Sequence, residues 1–170
     1  MATALFISRE DLVRNTLISG NLDVDRFIQF INISQTIHIQ NFTGTKLYDA
    51  ISNMIINNTL TQADNPNYLK LVTDYIQPML IQYAMVEYLP FAAYTVGNGG
   101  VYKHTSETSV SVDKLEVDYL IEKSRKLAEY YTERFTDYMI YNQNLFPEYT
   151  TNNQSDVYPD YTVQNTGWNL

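Results

Sequence analysis

The sequence predicts an all-α protein: a bundle of about five helices with a long C-terminal helix, interrupted by a small β-hairpin or extended loop insertion and followed by an extended C-terminal arm. Three observations predict it. Apolar residues recur at spacings of three and four over long stretches, most regularly in Tyr68, Leu71, Val72, Tyr75, Ile76, Met79, Leu80, Tyr83 and Val86. Breaks at Thr43-Gly44, Gly97-Asn98-Gly99-Gly100 and Phe146-Pro147 punctuate those stretches. A chain of 170 residues with 45% hydrophobic content is long enough to bury one sizeable core. Residues 1–146 are therefore assigned to a helical domain with a loop or hairpin at 97–113, and residues 147–170 to the arm.

The elements follow in order. Ser8 is placed to cap a short first helix, with Glu10 and Asp11 in its first turn, and that helix is expected to stop near Ser19-Gly20. Asp23 caps a second helix, in which Val24, Phe27, Ile28 and Ile31 form a stripe that Phe30, Ile33, Ile37 and Ile39 widen. A helix apolar on more than one side asks for cover on more than one side. Thr43-Gly44 breaks it, and Thr45 opens a third helix carrying Leu47, Tyr48, Ile51, Met54 and Ile55. After a polar connection from Thr61 to Asn67, Pro66 stands near the first position of the fourth helix, where its missing N–H is harmless. Pro78 is expected to bend or split that helix, and Pro90 is a second such point.

Val101 to Val112 alternate weakly and hold many β-branched residues, which suits a projecting loop or short hairpin; a disordered linker is the competing reading. Asp113 caps the last helix, expected to run to about Asn144 and to be roughly 45 Å long. Val117, Leu120, Ile121, Leu127, Tyr131, Phe135, Tyr138 and Leu145 are its predicted buried face. Beyond Pro147 the chain is rich in Asn, Thr, Asp, Tyr and Pro and has no periodicity. Tyr149, Tyr158, Tyr161 and Trp168 suit an arm that orders against a partner and adds little to its own core; a frayed terminus is the alternative.

Charge limits the partners. Eleven Lys and Arg against 19 Asp and Glu give a formal net charge of -8, which argues against a broad basic face that grips phosphates. An acidic surface would still let DNA slide past. No run approaches the roughly 20 apolar residues of a membrane span, and the first residues carry charges where a signal peptide needs an apolar stretch, so synthesis in the cytoplasm is expected. The chain has no cysteine, which removes disulfides and thiolate metal sites. Its 15 tyrosines suit half-buried places such as those between subunits, although the codon bias of an AT-rich genome also enriches Tyr and Asn.

Candidates for chemistry are few. His38 and His104 stand outside any metal-ligand spacing. Glu116 with Asp118, and Glu129 with Glu133, read as surface charges, and Ser106, Ser109 and Ser111 lack a nucleophile-elbow setting. Gly97-Asn98-Gly99-Gly100 matches neither phosphate-loop pattern. The expectation is no enzyme, no cofactor and no metal; a pocket converging on His38 or on paired carboxylates is what an enzymatic reading requires.

Four segments carry a resemblance: FTGTKLYDAI at 42–51, YIQPMLIQYAMVEYLPF at 75–91, GNGGVYKHTSETS at 97–109 and YMIYNQNLFPEY at 138–149. In their order and punctuation the chain resembles the head-to-tail connector, or portal adaptor, proteins of tailed bacteriophages. The resemblance implies a structural virion protein at the head-to-tail junction: a homo-oligomeric ring, commonly dodecameric, that joins the portal protein to the tail or a second connector and continues the DNA channel. It implies docking through the loop and arm, for which Tyr102, Lys103, His104, Tyr149, Tyr158, Tyr161 and Trp168 are the candidate residues. The alternative is a small monomeric helical module that binds and regulates a host protein.

Overall fold

The computed structural model describes residues 4–16, 24–92, 94–97, 100–103, 114–151 and 156–161. Those residues are mostly helical, as expected of an all-α chain. Helix α1, Arg9–Asn15, is closed by a reciprocal capping box: the Asp11 amide donates to the Ser8 hydroxyl and the Ser8 amide to the Asp11 carboxylate. Its end comes before the expected stop at Ser19-Gly20, which lies outside the described residues, as does Asp23.

Helix α2, Val24–Ser34, runs through a π-helical turn, Gln35–Ile39, into α3, Gln40–Ile56. The wider turn brings Gln35 fully inside, where its amide reads a passing backbone. Gln35 Nε2 donates to the Ala4 carbonyl and its Oε1 accepts from the Phe6 N–H, both at 2.9 Å, while Gln77 Nε2 donates to the Phe6 carbonyl at 2.8 Å. The N-terminal segment has no helix or sheet of its own here, so these side-chain amides satisfy groups that burial would otherwise leave unpaired. Phe6 and Ile7 are buried, and the Phe6 ring stacks on Tyr48.

The break at Gly44 takes a specific form. Gly44 adopts φ 74° and ψ 158°, a conformation that a side chain would oppose, and the helical ladder is interrupted there. In an unbroken helix the Thr45 N–H would bond the Asn41 carbonyl. Instead the Thr45 N–H donates to the Val157 carbonyl at 3.0 Å, and the Asn41 carbonyl accepts from the Asp160 N–H at 2.9 Å. Thr45 Oγ1 also accepts from the Val157 N–H at 2.9 Å. The described part of the C-terminal segment, residues 156–161, thus repairs the kink in its own chain, a correction to the expectation that it adds little there.

Helix α4, Pro66–Leu71, leads through a second π-helical turn, Val72–Ile76, to α5, Gln77–Tyr88, and a 3-10 turn, Leu89–Phe91. Pro78 falls in the first turn of α5, directly after the wide turn, so the run changes its winding around the proline. Met79, Leu80, Ile81, Tyr83 and Ala84 of α5 are all buried. Two strands follow, β1, Tyr94–Gly97, and β2, Gly100–Lys103, paired antiparallel with Tyr94 opposite Lys103. They begin before the predicted 101–112 segment, whose remainder, 104–112, lies outside the described residues together with Asp113.

Helix α6, Lys114–Asn142, packs chiefly along α5. Its buried face is Ala128, Thr132, Phe135, Thr136 and Met139. The predicted face was partly misplaced: Leu120, Leu127 and Leu145 are exposed. Two threonines hold the inside position because their hydroxyls donate to the carbonyls four residues back, Thr132 to Ala128 and Thr136 to Thr132, leaving their methyl groups for the core. The 3-10 turn Gln143–Leu145 and α7, Pro147–Thr150, finish the helical set, with Phe146 and Tyr149 buried between them and the bundle. Among the described residues no helix is long and apolar enough to cross a membrane.

Truncation after Thr151 is expected to lower stability in urea by ~1–3 kcal/mol for each group unpaired at the Gly44 kink, with helical content by circular dichroism nearly unchanged. An unaltered denaturation midpoint would show that the segment at 156–161 is not holding the kink.

Candidate functional site

Among the described residues, a cluster of titratable side chains forms around His38, where the first π-helical turn faces α5 and α6. The wide turn sends Gln35 inward and His38 outward. His38 Nε2 lies 3.0 Å from Glu87 Oε1, and its ring is stacked on Tyr83 with centroids 4.0 Å apart and planes 8° from parallel. The Tyr83 hydroxyl in turn lies 3.1 Å from Thr132 Oγ1, tying α5 to α6. Beside this stack is an open cleft of about 370 Å³, to which Phe42, Arg125, Glu129 and Asp160 contribute.

His38, Glu87, Tyr83 and Thr132 of the cleft already have structural employment. The His38–Glu87 pair fastens the π-helical turn to α5, and the Thr132 hydroxyl donates into its own helix. No serine lines the cleft. Among the described residues no group of three or more His, Asp or Glu is placed to hold a metal ion. A histidine with a carboxylate partner is an oriented imidazole, able to pass a proton between Glu87 and whatever enters. Of the carboxylate pairs considered from sequence, Glu116, Asp118 and Glu133 stand exposed on α6, and Glu129 alone of the four lines the cleft. The meeting of His38 with Glu87, 49 residues away, had no local signal.

The candidate docking residues fall in different places. Tyr102 and Lys103 are on β2, opposite Thr95 and Tyr94. His104 and Trp168 lie outside the described residues. Tyr158 and Tyr161 are exposed and touch edge to face, with ring centroids 5.9 Å apart. Tyr149 is corrected: it is 1% exposed, set edge-on to Phe135 in the core, because Phe146 and the short α7 turn it back into its own bundle. Its hydroxyl is buried without a hydrogen-bond partner among the described residues. Next to it the Tyr68 hydroxyl donates to Glu148 at 2.6 Å, which anchors α7 to α4.

Burial dominates the ionisation of these phenols. It raises Tyr48, Tyr68, Tyr83, Tyr138 and Tyr149 above the ordinary tyrosine value, with the Glu148 carboxylate adding to the effect on Tyr68. Tyr161 is pushed up to about 12, first by burial and then by its hydrogen bond with Tyr158.

A family model described as a family of unknown function (DUF6712) matches residues 39–159, well over half the chain. No curated protein and no solved structure matches. The matched stretch opens at the last residue of the first π-helical turn and closes within the segment that repairs the Gly44 kink.

Two outcomes are expected. Tyr149→Phe removes an unpaired buried hydroxyl and should leave the melting temperature unchanged or raised, whereas Tyr149→Ala should cost about 3–5 kcal/mol by opening a cavity; equal tolerance of both would put the ring at the surface. Phenols with raised values hold their protons more tightly when folded, so their contribution is whole below pH about 10 and is lost as pH climbs above it. Alkaline titration should therefore show phenolate absorbance from the buried tyrosines rising together with loss of the helical signal, and early, independent ionisation of all 15 would contradict the burial described.

Proposed function

The chain belongs to the DUF6712 family, a family of unknown function, and we propose that it is a structural virion protein: a subunit of a ring that joins the capsid portal to the tail and continues the DNA channel. The observation that carries the reading is the amount of large apolar surface exposed among the described residues, beside a well-buried core. Ile37, Phe91, Leu115, Tyr119, Tyr130, Ile140 and Tyr141 are each more than half exposed, while Leu71, Ile76, Met79, Leu80 and Phe135 are fully buried. Such surface is what association covers.

Three further features support the same reading. The net charge of -8 suits a lumen that DNA traverses without adhering. Among the described residues the β1–β2 pair has strand edges open to a neighbour, and Tyr158 and Tyr161 stand exposed to meet one. His38, Glu87, Tyr83 and Thr132 of the cleft have partners within the fold, which favours a building part over a catalyst. In this reading the protein takes no cofactor, and its partners are its own copies, the portal protein and a tail or second connector protein.

Light scattering of the full chain, alone and with the cognate portal, is expected to show a multi-copy assembly, and purified particles are expected to contain the protein in fixed stoichiometry. A protein that stays single in every mixture and is absent from particles would favour the monomeric binding module.

A further inference from the structure

The Gly44 kink is a receptor for extended backbone. The break at Gly44 leaves the Thr45 N–H and the Asn41 carbonyl without their helical partners. The Val157 carbonyl and the Asp160 N–H take those places, and the Val157 N–H donates to Thr45 Oγ1. All three hydrogen bonds engage the main chain of the incoming segment and none its side chains, which is how a strand-like segment is held.

The segment that fills the kink, residues 156–161, is otherwise lightly covered. Only Pro159 is buried; Val157 and Asp160 are half-buried, and Asp156, Tyr158 and Tyr161 are exposed. With so little apolar surface withdrawn from water, it opens at a lower free energy than the helices do. Helix α7 before it is seated through the buried Phe146 and Tyr149, so release of the segment need not disturb the bundle.

Two rings identify the occupant. Tyr158 is 54% and Tyr161 41% exposed, one on each side of Pro159, although Tyr161 meets Tyr149 edge to face at 5.3 Å. Tyrosines of this kind anchor interfaces once a partner desolvates them. Within its own chain the segment satisfies its backbone and leaves much of both rings wet. A second copy offers the kink the same segment with the same bonds, and gives the rings a neighbour as well.

Resting on the reading of the chain as a ring subunit, we propose that neighbouring copies exchange residues 156–161, so that the segment of one copy fills the Gly44 kink of the next. The contact joins two different surfaces and closes into a ring when the rotation between copies permits. Reach limits the geometry: from Thr151 to Asp156 an extended chain spans at most about 18 Å, so the donor's α7 ends close to the accepting kink.

The test pairs two full-length variants. Asp160→Pro removes the N–H that the Asn41 carbonyl accepts and spoils the donor. Thr45→Pro removes the N–H and the hydroxyl that hold Val157 and spoils the acceptor, directly after the break, where a proline suits a helix start. Each alone is expected to keep its helical signal and to run at the single-chain mass in light scattering coupled to size exclusion. Mixed, they should form a species of two chains, one of each, and stop there, because the remaining kink and the remaining segment are both spoiled. Tyr158→Ser leaves every backbone bond in place and keeps the test decisive if Thr45→Pro fails to fold; it should weaken wild-type assembly about tenfold or more. Folded variants that assemble as wild type does, or a mixture that stays single with portal present, would overturn the exchange, while an assembling wild type leaves the ring reading intact. A mixed pair from a protein that is absent from particles would keep the exchange and remove the virion role. A wild type and a mixture that both stay single at every concentration, with portal present, would remove both.

Discussion

Helix α5 has almost no wet side, and that constraint organises the rest of the molecule. Met79, Leu80, Ile81, Tyr83 and Ala84 are buried although consecutive residues turn by about 100° around a helix, so their cover must come from more than half of its circumference. Helices α2 and α6 supply most of it, with the two π-helical turns filling in between. Where α5 meets α6, the Tyr83 hydroxyl finds Thr132, so the one polar tip carried inside by this apolar helix is satisfied. On its opposite edge Tyr83 carries the stacked His38. The same residue therefore sets the inner packing and the floor of the cleft.

The wide turns explain how a short chain provides so much cover. Each π-helical turn takes up an extra residue and rotates everything after it relative to a regular helix. At Gln35–Ile39 the rotation puts an amide inside and an imidazole outside; at Val72–Ile76 it precedes Pro78 and lets the helix continue past the proline ring. The chain ends then fill what the helices leave. Residues 4–7 lie under Gln35 and Gln77, and residues 156–160 bond the backbone that Gly44 opens. A helical core closed by two extended segments is held by backbone groups that neither segment could satisfy alone.

Helix positions were legible in the sequence wherever apolar spacing and a cap agreed, as in α3 and the long run from Tyr68 to Val86. The break at Gly44 was legible too, since only glycine holds φ 74° without a penalty. The buried face of α6 was not. Leucines suggested one stripe, while the structure buries Ala128, Thr132 and Thr136, whose small size and internally bonded hydroxyls suit a close neighbour better than bulk does. Tyr149 misled for a related reason. A polar, Asn-rich stretch reads as solvated, and nothing in its composition announces that Phe146-Pro147 turns one ring back into the core. The His38–Glu87 pairing depended on a turn type that leaves no pattern of its own.

The misread stripe on α6 says something about the molecule. Leucines at helical spacing are ordinarily explained by the core of their own chain, and here Leu120 and Leu127 are exposed while Ala128, Phe135 and Met139 of the same helix are fully buried. Shortening them to polar residues would cost the isolated subunit little, because exposed side chains contribute little to folding. On the function proposed here, they are surface that a neighbouring copy covers.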